Sequence, residues 1–169
     1  MKKTITPFTA QLVTFDTTLP VQEVIARLDK GVNKSGSAGF ISQFKTITSK
    51  AETEELVQDT LGENNFIYFR ELSHDRWLTV YEGCAHPVAV VYTIGNPLLA
   101  RTIMQHDIRT GYTVPLRLMV LEKVNGTGTN VIYHLPSSVM GLTNHPDLKA
   151  VLLELDEKLE KLVSSISAD

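Results

Sequence analysis

His106 and Asp107 stand side by side near the end of a helical pattern, and Arg109 and Tyr112 follow shortly after, at the junction with the next strand. A histidine next to a carboxylate can exchange a proton and be oriented while doing so. A wheel at about 100° per residue, carried on to residue 108, groups Ala100, Ile103, Met104 and Ile108 on one face. Asp107 falls among them, and His106 falls on nearly the opposite side. So placed, Asp107 faces the sheet and needs a partner, because an unpaired buried carboxylate is strongly destabilising. Arg117 on the following strand and the backbone beyond Gly111 are the nearest candidates. The plain alternative is that Asp107 only ties the helix end to its turn, while His106 gains from the helix C-terminus, where a cation is favoured.

Other polar residues form looser groupings. Glu71 and His74 flank a polar turn beside Trp77, a spacing that suits a metal or an acid-base pair, although an exposed turn is the simpler reading. His134 precedes Pro136-Ser137-Ser138, but no G-x-S-x-G elbow supports a serine nucleophile. Dinucleotide, phosphate-loop and H-E-x-x-H signatures are absent, no histidine spacing marks a metal, and no cofactor is identified. Cys84, the only cysteine, excludes an internal disulfide and a zinc site built of cysteines; between Gly83 and Ala85 it reads as a small filler.

These residues must be held by elements legible as periodicity. Phe8 to Phe15 is a threonine-rich strand. Thr17-Thr18 offer a cap for a helix from Pro20 to about Val32, whose apolar stripe is Val21, Val24, Ile25 and Leu28. Asn33 to Gly39 is a flexible loop, and Phe40 to Thr48 a strand or irregular connection. Ala51 to Leu61 is a short acidic helix ended by Gly62. Two aromatic and β-branched runs around Ser73-His74-Asp75-Arg76 read as a hairpin. Pro87 to Ile94 is apolar nearly throughout, which predicts a central strand covered on both faces. Asn96 and Pro97 then open a helix to about Arg109, and VPLRLMVLEKV is a second central strand. Asn125-Gly126 begins a reversal, with Asn130 to His134 pairing back. Asn144 caps the last helix, in which Leu148, Leu152, Leu155, Leu159, Leu162 and Ile166 are spaced four and three apart. That stripe lies either on the sheet or in a dimer seam. The order predicts an α+β fold: a two-layer sandwich, mostly antiparallel sheet with helices packed on one face.

The bulk numbers narrow the classes further. A chain of 169 residues is most simply one domain. A net charge of −3 provides no basic stripe and argues against nucleic acid as a partner. No apolar run approaches the ~20 residues of a membrane span, and the N-terminus lacks the apolar stretch of a secretory signal. The expected location is the cytoplasm.

Gly95-Asn96-Pro97, His106-Asp107, Gly111, Val114-Pro115 and Pro136-Ser137-Ser138 together resemble the domain-of-unknown-function family number 302, in particular its fungal branch. Gly39-Phe40, Glu71, His74, Trp77 and the Leu155-Asp156-x-Lys158-Leu159 ending are similar too, so the resemblance runs from about Thr18 to Val163. It implies a compact two-layer α+β fold, similar to a small bacterial family of dimeric proteins, and no activity or catalytic residue. The family core is shorter. Residues 8–33 and 87–166 would form it here, and 36–83 would be an inserted hairpin and helix able to roof a pocket.

The leading expectation is a small-molecule-binding protein, a homodimer, with its pocket near the His106-Asp107 helix end. Glu71, His74, Trp77, Tyr112, Arg117 and His134 would be its walls. An acid-base enzyme without a cofactor (isomerase, cyclase or hydrolase) is the alternative, with His74 or His106 exchanging protons and Asp107 or Glu71 orienting it. A dimeric scaffold, joined through the last helix or a sheet edge, is the third class.

Overall fold

The computed structural model describes residues 1–141 and 145–168. Its frame is one five-stranded sheet: β1 (Leu12–Thr17), β2 (Ile67–Ser73), β3 (Ala89–Gly95), β4 (Leu116–Glu122) and β5 (Thr129–His134). The spatial order is β1-β5-β4-β3-β2, and every neighbouring pair is antiparallel. Side chains alternate between the faces along each strand. Tyr92 and Ile94, Leu118 and Val120, and Val131 and Tyr133 therefore point to one inner side and are buried there.

That inner side is covered by α1 (Val21–Gly31) and α7 (Pro146–Ser167). Val21, Val24 and Leu28 form the buried stripe of α1, and the Glu23–Arg27 ion pair closes at 2.9 Å on its outer side. In α7 all six apolar positions of the four-and-three pattern are buried within this chain, so the stripe lies on the sheet and is not a free seam. The fold is α+β. No helix among the described residues is long and apolar enough to cross a membrane.

Several local expectations are overturned. β1 begins four residues later than expected, and Pro20 itself, rather than Thr17 or Thr18, occupies the N-cap position of α1. Phe40–Phe44 is a short helix, α2, rather than a strand; Phe40 packs with Val57 of α3 (Lys50–Thr60) and Ile67 of β2 in a second small core. The expected hairpin does not form. β2 finds its partner in β3, and His74–Glu82 between them coils into α4. Trp77, Val80 and Tyr81 therefore lie on a helix and are exposed, and the outer edge of β2 has no strand partner among the described residues. Asp75 fixes the start of α4 by accepting the Ala89 N–H at 3.2 Å.

β3 is central in order but covered on one face only: Val91 and Thr93 on its outer side stay partly exposed. The helix from Pro97, α5, stops at Met104 rather than near Arg109. Asn144 lies outside the described residues; the N-cap of α7 is His145, whose Nδ1 accepts the Leu148 N–H at 3.4 Å. A last short helix, α6 (Pro136–Met140), leads from β5 toward α7.

Candidate functional site

The end of β3 builds a cleft from purely local rules. Asn96 Oδ1 accepts the Leu98 and Leu99 N–H groups at 3.0 and 3.2 Å, and Pro97 sits at the first helical position, so α5 starts sharply off the strand. Ala100 and Ile103 face inward, while Leu98 leans on the second small core. Phe69 occupies a bulge in β2 and lies over Gly95, where a Cβ would come within 2.9 Å of the ring. Glycine is required there for the ring to lie down on the strand end.

The result is a cleft of about 610 Å³ between α3, α5 and the Val114–Pro115 segment. Phe44, Phe69, Leu98, Met104 and Pro115 supply its apolar lining. At its rim Lys50 pairs with Glu54 at 3.6 Å, whereas Arg101 has no ion-pair partner among the described residues. Beyond Val114 and Pro115, which both hollows share, a second hollow of about 490 Å³ opens on the outer sheet face. Arg70, Thr93 and Arg117 lie in one cross-strand row there, with Leu72, Val91 and Tyr112 around them.

The expected site residues are dispersed. Because α5 ends early, Asp107 is extended (φ −153°) and caps the 3-10 turn of residues 108–113. Its carboxylate accepts the Arg109 N–H at 3.0 Å and pairs with the Arg109 guanidinium at 2.8 Å, which pushes the Arg109 pKa up. Arg117 is not that partner, and Asp107 does not project from a helix onto the sheet. The His106 ring lies 5.1 Å from that of His145. His74 Nδ1 accepts from Trp77 Nε1 at 3.2 Å, and this tryptophan is half exposed on α4. Neither histidine is joined to the carboxylate that was to orient it. Tyr112 and Arg117 do meet in the second hollow, which Glu71 also borders; His134, on the next strand, is exposed, and the β4–β5 register continued by one residue sets it beside Arg117. Cys84 is exposed and therefore no filler.

Glu71 belongs to a cluster that sequence patterns miss. Its carboxylate accepts from Lys34 Nζ at 2.7 Å, and Asp29 does the same at 3.2 Å. Tyr92 donates its hydroxyl to Asp29 at 2.7 Å, and Lys34 Nζ lies 5.3 Å from the Tyr68 and Tyr92 rings. Burial draws the Lys34 pKa down, but its hydrogen bonds to Glu71 and Asp29 outweigh that and leave it raised. Burial, then the Asp29 carboxylate, push the Tyr92 phenol well above its usual range. A lysine inside a glycine- and serine-rich loop and a tyrosine inside an apolar strand carry no motif. Arg101 and Phe69 likewise become site residues only through the bulge and the capped helix.

The chain has recognisable relatives. The family model for the domain of unknown function DUF302 matches residues 42–166. The crystal structure of an uncharacterized conserved DUF302 protein from Bacillus stearothermophilus is similar in fold, with a TM-score of 0.64 at 18% identity. The likeness covers 92% of this chain and 97% of that one. No curated protein matches.

Proposed function

Since the chain belongs to the DUF302 family, a domain of unknown function, we propose from its own geometry that it binds a small amphipathic anion in the α5 cleft. The observation that carries this reading is a cleft of about 610 Å³ with aromatic and aliphatic walls and, at its rim, the Arg101 guanidinium, which has no ion-pair partner among the described residues. Cavities of roughly 300–1,000 Å³ with apolar walls and few polar groups are the usual form of small-ligand sites. The apolar body of the ligand would lie against Phe44, Phe69, Leu98 and Met104, and its anionic group would reach Arg101. Acid-base catalysis has less support, because Asp107 and Glu71 hold Arg109 and Lys34 instead of a histidine.

Calorimetric titration with decanoate and with the uncharged decanol tests this reading. Decanoate should bind more tightly, Arg101→Gln should remove about tenfold of its affinity, and Thr102→Trp, which fills the cleft, should abolish binding of both. Absence of binding, or binding unaffected by Thr102→Trp, would refute the cleft as a site. Equal affinity for acid and alcohol would refute the role of Arg101.

A further inference from the structure

At the other end of β3 the chain assembles three metal-donor side chains within five residues. α4 ends at Glu82, and Gly83 takes a left-handed conformation (φ 69°, ψ 18°) while its N–H returns to the Thr79 carbonyl at 3.0 Å. This reversal folds Cys84 and His86 back onto Glu82. His86 Nε2 lies 3.0 Å from the Glu82 carboxylate and 3.6 Å from Cys84 Sγ, and all three donor atoms are within 4.8 Å of one another.

We propose that Glu82, Cys84 and His86 form a binding site for a thiophilic divalent cation of the zinc class. The spacing fits the chemistry. Zinc bonds of about 2.3 Å to sulfur and 2.0–2.1 Å to nitrogen, at a tetrahedral angle, put the S and N atoms about 3.6 Å apart. The 3.6 Å between Cys84 Sγ and His86 Nε2 already has that value. The Nε2-to-carboxylate edge needs to open only from 3.0 Å to about 3.4 Å, and the Cys84 thiol gives up its proton on binding. Thiolate and carboxylate together neutralise a divalent charge, and the carbonyl end of α4 favours a cation. A thiolate and an imidazole select zinc over magnesium or calcium. Three protein ligands leave the fourth position to water or an external ligand, as in open zinc sites.

A second grouping, His106, His145 and Asp147, has donor atoms equally close. It is the poorer ligand set. His145 Nδ1 accepts the Leu148 N–H, so the neutral ring keeps its proton on Nε2, and a metal must displace either that proton or the helix cap.

The test is titration of Zn²⁺ into the chelator-treated full chain by calorimetry, with Co²⁺ absorption as a second readout. One equivalent should bind, and Co²⁺ should give a thiolate-to-metal charge-transfer band. Cys84→Ser should remove the band and weaken Zn²⁺ binding at least about tenfold, His86→Gln should also weaken it, and His106→Gln should change neither readout. No band in the parent protein, an affinity unmoved by Cys84→Ser, or a loss on His106→Gln would each overturn the assignment. Cys84 is exposed and His86 lies at the surface, so the metal-free variants should melt with the parent. Because the α5 cleft lies at the far end of β3, where Gly95 closes the strand and Asn96 follows it, failure here leaves the anion reading untouched.

Discussion

Glu71 and Arg70 are neighbours in the chain and opposites in the fold. The period of two along β2 turns Glu71 to the inner side opposite Tyr92, and sets Arg70 on the outer side in the row with Thr93 and Arg117. On the inner side the cation is matched: Lys34 sits between Asp29 and Glu71, against two tyrosine rings. On the outer side Arg70 and Arg117, like Arg101 in the adjoining cleft, have no ion-pair partner among the described residues. The difference separates two uses of charge. A cation matched by hydrogen-bonded carboxylates has its binding capacity spent inside the fold. An unmatched one beside apolar walls keeps that capacity for something outside.

The largest expected effect is alkaline. Tyr92 is pushed up by burial and by Asp29, Tyr133 is pushed up to about 12 by burial and by the charges of Glu160 and Asp156, and Lys34 is raised by its carboxylates. Groups raised on folding contribute stability that is complete below their unfolded values, near 10, and lost as pH climbs through the folded ones. Urea unfolding followed by circular dichroism should therefore show constant stability from neutral pH to about 10, then a cooperative decline toward 12. Tyr133→Phe should delay the decline. A decline starting well below pH 10 would mean that the inner side is not the controlling region.

Next in size is removal of the inner cation. Lys34→Met leaves the Asp29 and Glu71 carboxylates without their shared donor, Asp29 keeping only the Tyr92 hydroxyl, and should cost roughly 1–2 kcal/mol at neutral pH. A cost near zero would make the cluster an ordinary solvated surface pair.

How much of this was legible in the sequence depends on whether a residue's role is periodic. The α1 and α7 stripes are spacing statements, and burial places every one of their leucines where the spacing put it. The sheet was legible only in part: β3 and β4 were expected as strands, but β3 is covered on one face and not on both. The segment from His74 to Glu82 was not legible: its aromatic and β-branched content fits a strand, yet it forms a helix between β2 and β3, which pair with each other. The candidate site failed in a related way. Asp107 was placed by extending a helical wheel three residues past the point where α5 ends, and it became a turn cap instead. Arg117 and Tyr112 were placed near each other because both flank the short turn into β4. Lys34 and Tyr92 meet across 58 positions of chain only after the fold exists.

The smallest effect is the most discriminating. Arg70→Gln with Arg117→Gln removes two exposed guanidiniums that hold nothing in the described chain, so the double variant should shift unfolding free energy by less than about 0.5 kcal/mol. It should even gain slightly, because two like charges separated only by Thr93 no longer repel. A loss as large as that of Lys34→Met would require these cations to be matched after all, by a bound anion or by a second copy laid on the outer face, where Leu72, Val91 and Tyr112 would be covered with them. Dilution separates those two outcomes. The contribution of a second copy falls with protein concentration, whereas a tightly held anion that remains in excess contributes the same at every concentration.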